Sequence, residues 1–307
     1  MEEMVLIEGG SFLMGSDRHY PEEAPQHRVE VGPFFIDPAP VTNRQFAGFV
    51  EATGYVTVAE RPLNPADYPG AAPDMLVPGA LVFHETEGPV DLRDIRNWWR
   101  WVPGASWRHP EGKGSGIAAR LDHPVVQIAY EDAAAYASWC GKDLPSEAEW
   151  EFAARGGLDG AEYAWGDELS PGGRMMANFW QGDFPWQNLK ADGFERTSPV
   201  GRFPPNGHGL YDMIGNVWQW TSDWFSQRHE TDPTRPCCGP GRAAGSRMEA
   251  SYDPQQPGMR IPRKVVKGGS FLCAPNYCRR YRPAARHAQM IDSGMSHIGF
   301  RCIRHAR

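Results

Sequence analysis

Two cysteines five positions apart, Cys273 and Cys278, carry the reactive potential of this 307-residue chain. They sit in KGGSFLCAPNYCRRYRPAAR, with Gly268-Gly269-Ser270 before them and Arg279, Arg280, Arg282 and Arg286 after. A thiolate is a nucleophile and a soft ligand, and adjacent guanidinium charge favours it over the thiol. Two thiolates at this spacing could close a disulfide or jointly hold a soft ion such as Cu(I) or zinc. The bland alternative is a pair of small core residues, because free cysteine is among the most buried residue types.

Composition bounds what surrounds them. Hydrophobic residues are 41% and charged residues 22%, which suits a globular chain with a sizeable core. The net charge of −7 makes no electrostatic case for nucleic acid or an anionic membrane. From Arg260 to Arg307, however, basic residues greatly outnumber acids, so the cysteine region is locally positive. No apolar run approaches the ~20 residues that span a bilayer, and the N-terminal MEEMVLIEGG is acidic where a signal peptide is basic. A reducing cytoplasm is therefore expected. There a spaced cysteine pair points to metal binding or catalysis rather than to a disulfide framework.

The elements that must position the pair are few. Twelve tryptophans, 34 glycines and 28 prolines predict a loop-rich fold held by aromatic packing. Residues 4–16 read as a strand with a Gly-rich turn, and Val29–Ile36 as a second strand. A helix is expected over Val41–Gly54, with Thr42 and Gln45 forming a capping box, Val41 and Phe46 a hydrophobic staple, and Gly54 the stop. Residues 60–120 show little periodicity, and their tryptophans (Trp98, Trp99, Trp101, Trp107) read as core in preference to a substrate surface. A second helix covers Tyr130–Cys140. A third is capped by Ser146 with Glu149, stapled by Pro145 and Trp150, and stopped by Gly156. Turns and short strands follow. Without repeats or linker-like tracts, residues 1–307 read as one domain.

The blocks MVLIEGGSFLMGS, VTNRQF, HPVVQIAYEDA, LPSEAEWEFAARGG, NGHGLYDMIGNVWQWTSDW and the cysteine segment, ending in IGFRC, resemble in order the formylglycine-generating enzymes, or sulfatase-modifying factors, of the aerobic bacterial type. The WRHPEG block and the cysteine pair are the parts that look specific to the enzymes. The resemblance implies an irregular α+β fold with little regular secondary structure, related to the C-type lectin-like fold. It implies that Cys273 and Cys278 hold Cu(I), that Ser270 and Trp218 share their pocket, and that Arg286 and His297 lie at its substrate-binding edge. Many family members carry a histidine directly after the first cysteine; here that position is Ala274. Two calcium sites are implied, one from Asn178, Phe179, Asp192 and Phe194, the other from Asp212, Gly215, Val217 and Gln219. In the second, the amide-then-carboxylate pattern common in the family is reversed. Cys302 falls on a position disulfide-bonded in secreted members, but its partner position is Ala137, and Cys140 lies one helical turn away. Reduced thiols are expected there. No role is read for Cys237 and Cys238.

The implied function is that of a monomeric, copper-dependent oxidase using O2 and a thiol reductant. It would convert the cysteine of a Cys-x-Pro-x-Arg segment in an unfolded sulfatase polypeptide to Cα-formylglycine. Two alternatives stay open: a copper-free oxidase cycling a Cys273–Cys278 disulfide, and a noncatalytic lectin-like binding module.

Overall fold

In the computed structural model, which describes residues 3–229 and 247–306, regular secondary structure is brief. In chain order the α-helices and strands are β1 (Val5–Ile7), β2 (Gly10–Met14), β3 (His27–Val31), β4 (Phe34–Ile36), α1 (Asn43–Thr53), β5 (Gly79–Phe83), β6 (Trp99–Pro103), α2 (Tyr130–Trp139), α3 (Glu147–Arg155), β7 (Trp218–Trp224), β8 (Arg263–Lys267), β9 (Arg286–Met290), β10 (Ile298–Gly299) and β11 (Ile303–His305). Cys237 and Cys238 lie outside the described residues.

The capping chemistry fixes the helices where the sequence places them. The Gln45 amide N–H donates to Thr42 Oγ1 at 3.3 Å while Gln45 Oε1 accepts the Thr42 N–H at 2.8 Å. Gly54 closes α1 in the left-handed region at φ 67°. Ser146 and Glu149 repeat the arrangement on α3, and Gly156 ends it at φ 57°. In α2, which lacks a hydroxyl cap, the buried Asp132 carboxylate accepts the Ala129 N–H at 2.9 Å.

Two strand expectations change. The 29–36 stretch breaks at Gly32-Pro33 into β3, which pairs with β2, and β4, which pairs with both β1 and β11. Residues 60–120 contain an antiparallel pair, β5–β6, in register from Gly79↔Pro103 to Phe83↔Trp99. GALVF is a short continuous apolar run without period-2 alternation, so its strand character is set by what covers it. Trp98 and Trp107 are core residues, 1% and 0% exposed. Trp107 meets Phe46 edge-on at 5.2 Å, joining the segment to α1. A smaller apolar cluster joins Phe83, Trp98, Trp180 and Phe184 to Phe271, Leu272 and Ala274 of the cysteine segment.

The sheet that carries the cysteines has the order β10-β7-β8-β9. β8 and β9 are antiparallel and end their ladder at Lys267↔Arg286, so residues 268–285 form the connecting loop. Two cations thus stand side by side at the base of that loop, both essentially buried. Helix α3 neutralises them. Lys267 Nζ lies 2.9 Å from Glu151 Oε2 and 3.4 Å from Glu147 Oε1, and Arg286 Nε lies 2.8 Å from Glu147 Oε1. Arg155, one turn on, also pairs with Glu151 at 2.7 Å. Burial alone would raise the Glu151 carboxyl, but Lys267 and Arg155 outweigh it and bring it down to about 2.

A carboxyl held below its unfolded value stabilises the fold above that unfolded value, about 4.3 for Glu, and loses the contribution as pH falls toward 2. Glu151→Gln leaves Lys267 and Arg155 short of a buried counter-charge and should cost about 3–5 kcal/mol of stability at pH 7. The difference between variant and parent should shrink in chemical unfolding curves taken between pH 4 and pH 2. A variant as stable as the parent at neutral pH would show that this network does not hold the loop base.

Candidate active site

The 268–285 loop leaves β8 through two glycines that no other residue could replace. A Cβ on Gly268 (φ 91°) would come within 2.6 Å of the Met213 carbonyl oxygen, and one on Gly269 (φ 69°) within 2.7 Å of the Arg280 carbonyl oxygen. Ser270 follows, fully buried, and its carbonyl accepts the Cys273 N–H at 3.0 Å. A helical turn, closed by the Cys278 N–H on the Ala274 carbonyl at 2.9 Å, then returns Cys278 over Cys273. The two Sγ atoms lie 3.2 Å apart, with the residues 2% and 9% exposed. That distance is far beyond the ~2.05 Å of a disulfide, and both cysteines are free thiols joined by an S–H···S contact.

The pair is electrostatically unequal. Burial, and then the contact with Cys278, push the Cys273 thiol above its ordinary range. Cys278 is drawn below its own, first by the hydrogen bond with Cys273 and then, against burial, by Arg280. Arg280 Nη1 lies 3.8 Å from Cys278 Sγ. The guanidinium is fixed by Glu22 at 2.6 Å and stacks over the Tyr20 ring at 3.7 Å. Arg282 pairs with Glu23 through Nη1 at 2.8 Å. The connection between β2 and β3 therefore folds over the cysteine loop and supplies its counter-charges. Sequence reading missed Tyr20, Glu22 and Glu23, which carry no local signal for a partner some 260 positions away. The local excess of arginines was the one available hint.

Ser270, three residues before Cys273, is joined to His297 and, through the His297 backbone, to Trp218. Ser270 Oγ lies 3.2 Å from His297 Nδ1, and the His297 carbonyl accepts the Trp218 N–H at 2.9 Å. His297 is half-buried, meets Trp99 edge-on at 4.8 Å, and is held below its ordinary titration range by the protein packed around it. Trp218 stands 5.7 Å from the exposed His287, a residue that sequence reading did not single out. Arg286 does not join them. It is 2% exposed and spends its donors on Glu147 and on the Glu22 and Ser226 carbonyls, so it anchors the loop base and offers a peptide no face. Ala274 is fully buried in the smaller apolar cluster.

Residues 1–306 match the family of sulfatase-modifying factor enzyme 1-like domains. This chain belongs to that family. It is similar to the formylglycine-generating enzyme of Mycobacterium tuberculosis, 58% identical across 99% of this chain and 98% of that protein. It is also 38% identical, across 97% of this chain and 84% of the other, to a Mus musculus protein named inactive Cα-formylglycine-generating enzyme 2. In fold it resembles PvdO from Pseudomonas aeruginosa, with a TM-score of 0.62 at 24% identity over 99% of this chain and 94% of that one. The irregular α+β fold expected from the sequence is the one observed.

The two oxygen sets implied for calcium in the sulfatase-modifying factor family differ in how well they fit a cation. In the first, the Phe179 carbonyl and Asp192 Oδ2 converge on a single atom, Gln181 Nε2, which is 2.9 Å from the carboxylate oxygen. Asn178 spends its Nδ2 on the Arg196 carbonyl, leaving its oxygen end for a metal. Hard oxygens converging on one point suit Ca2+. The second set does not fit. Gln219 Oε1 already accepts Trp150 Nε1–H at 3.0 Å and Arg301 Nε–H at 2.6 Å, while Asp212 Oδ2 and Oδ1 accept from Gly201 N and Asn216 Nδ2. Cys140 and Cys302 are free thiols.

Because Arg280 is the cation in contact with Cys278, Arg280→Gln should move the pH profile of Cys278 alkylation to higher pH. At pH values well below the Cys278 value of about 6 the reaction should slow about tenfold, the effect of one pKa unit, and at neutral pH only about twofold. Peptide mapping after iodoacetamide labelling reads both cysteines separately. An unchanged Cys278 profile would show that the guanidinium does not set its charge.

Proposed function

We propose that this protein is a copper-dependent oxidase that converts a cysteine of a sulfatase polypeptide to Cα-formylglycine. The observation that carries the reading is the buried pair of sulfurs 3.2 Å apart. Among the described residues no third Cys, His, Asp or Glu gathers with them into a metal cluster. Zinc asks for three or four protein ligands, whereas Cu(I) is content with two soft thiolates. When bound, Cu(I) would supply O2 chemistry at a sulfur-rich centre open to a third sulfur from the substrate. A relative carries the name inactive, so family membership alone does not decide activity, and the reading rests on the cysteine pair of this chain.

The chain's own residues have definable tasks. Cys273 and Cys278 hold the ion as thiolates, and Arg280, 3.8 Å from Cys278, offsets part of the resulting negative charge. Ser270, three residues before Cys273, is held by His297 and the Leu272 N–H, and its hydroxyl would bond a sulfur or an oxygen species at the pair. The half-buried Trp99 and His297, 4.8 Å apart, and the exposed His287 would offer an extended Cys-x-Pro-x-Arg segment an aromatic surface. The overall reaction balances as one substrate thiol, O2 and two reductant thiols giving the aldehyde, hydrogen sulfide, a disulfide and water. The thiol-bearing carbon is oxidised, and O2 takes four electrons, two from the substrate and two from the reductant. We place the protein in the cytoplasm as a monomer, where reducing conditions keep the pair as dithiol. Calcium at the Asn178–Phe194 set is structural, since that set lies outside the cysteine loop.

Incubating the protein with a Cys-x-Pro-x-Arg peptide, with and without stoichiometric Cu(I), tests the reading by mass spectrometry. Copper should raise conversion to the lighter aldehyde product by orders of magnitude, and Cys273→Ser or Cys278→Ser should abolish it, since a hydroxyl is a hard, poor replacement for a thiolate. Full activity in rigorously copper-free protein would reject the copper reading in favour of a dithiol oxidase cycling the Cys273–Cys278 disulfide.

A further inference from the structure

Arg301 is a fully buried guanidinium, and among the described residues it forms no ion pair with a carboxylate. What surrounds it is a cage of neutral oxygens. Nε donates to Gln219 Oε1 at 2.6 Å, Nη2 to the Tyr211 and Asp212 carbonyls at 2.6 and 3.1 Å, and Nη1 to the Asp37 and Pro38 carbonyls at 3.2 and 3.4 Å. Five oxygens drawn from three segments of chain around one cation is the coordination habit of a hard metal ion. Here a side chain supplies the charge.

We propose that Arg301 is the resident cation of the Asp212–Gln219 cluster and that this cluster therefore holds no calcium. The proposal refines the calcium part of the functional reading above, confining any calcium to the Asn178–Phe194 set.

The amide of Gln219 decides the point. An amide oxygen has two lone pairs, and both are filled, by Trp150 Nε1–H and Arg301 Nε–H. Its nitrogen end donates to the Asp212 carbonyl at 2.7 Å. The amide cannot turn over to free its oxygen, because its own N–H donors would then face two others, one of them charged. Asp212 contributes a carboxylate, but each of its oxygens already receives an N–H, from Gly201 at 2.7 Å and from Asn216 at 3.2 Å. A dication bound through Gln219 would also sit beside a guanidinium 2.6 Å from the same oxygen, in a buried place where like charges repel strongly. A guanidinium stays protonated at neutral pH in proteins, so Arg301 carries its full charge in the cluster. One carboxylate and one guanidinium leave the cluster neutral, with no uncompensated charge to recruit a metal. The first set differs in kind: the group between its oxygens is the neutral Gln181 amide, which a cation can displace.

Calcium content measured by atomic emission on the full chain, saturated with calcium and then dialysed, tests this directly. The expected result is one calcium per chain, lost in Asp192→Asn and unchanged in Asp212→Asn, an isosteric change that keeps the acceptor for Gly201. Two calcium ions per chain, or a single one lost in Asp212→Asn and kept in Asp192→Asn, would overturn the proposal. A chain with no calcium at all would uphold Arg301 as the cluster's cation and reject the separate reading of the Asn178–Phe194 set.

Discussion

Two like charges facing each other across a strand pair are the constraint on which the site depends. Lys267 and Arg286 are directly opposite at the mouth of the cysteine loop, and both are buried, so the ladder can close there only if counter-charge is brought in. Glu147 and Glu151 bring it, one helical turn apart on α3. Removing any one of the four strands a charge in the interior, a costlier event than never having built the network. The helix, the two strands and the ends of the loop are consequently fixed relative to one another. The glycine pair that follows Lys267 then sets the path that returns Cys278 onto Cys273.

A second ionic layer lies over the first. Arg280 and Arg282, on the return limb of the loop, take Glu22 and Glu23 from the β2–β3 connection. The two layers act differently. Arg286 and Lys267 hold the loop's base and stay away from the sulfurs, whereas Arg280 reaches Cys278 and biases which thiol of the pair is the more acidic. A pair of thiolates carries two negative charges and Cu(I) one positive, so a nearby fixed guanidinium suits the proposed metal site better than a neutral wall would.

The parts legible in the sequence are those whose physics is local. Thr42 with Gln45 and Ser146 with Glu149 announce α1 and α3 because a capping box closes within four residues. Cys273 and Cys278 stand out by residue type and by the family resemblance, and two local turns, Ser270–Cys273 and Ala274–Cys278, bring their sulfurs together. What the sequence hid depends on partners far along the chain. β5 reads as an ordinary apolar run until Trp98 and Phe184 cover it. The family resemblance puts Arg286 at a substrate-binding edge, and its burial against Glu147 shows it to be an anchor. The reversed carboxylate and amide at Asp212 and Gln219 preserve net charge in the sequence. Their hydrogen bonds, to Trp150 and Arg301 for Gln219 and to Gly201 and Asn216 for Asp212, determine which lone pairs remain.

The central claim is that the two loop sulfurs form a two-thiolate Cu(I) site, and X-ray absorption at the copper edge examines it most directly. Protein loaded with one equivalent of Cu(I) should show an all-sulfur first shell of two ligands, falling to one sulfur or losing the metal in Cys278→Ser. A shell dominated by nitrogen or oxygen, or the same spectrum in the serine variant, would contradict it.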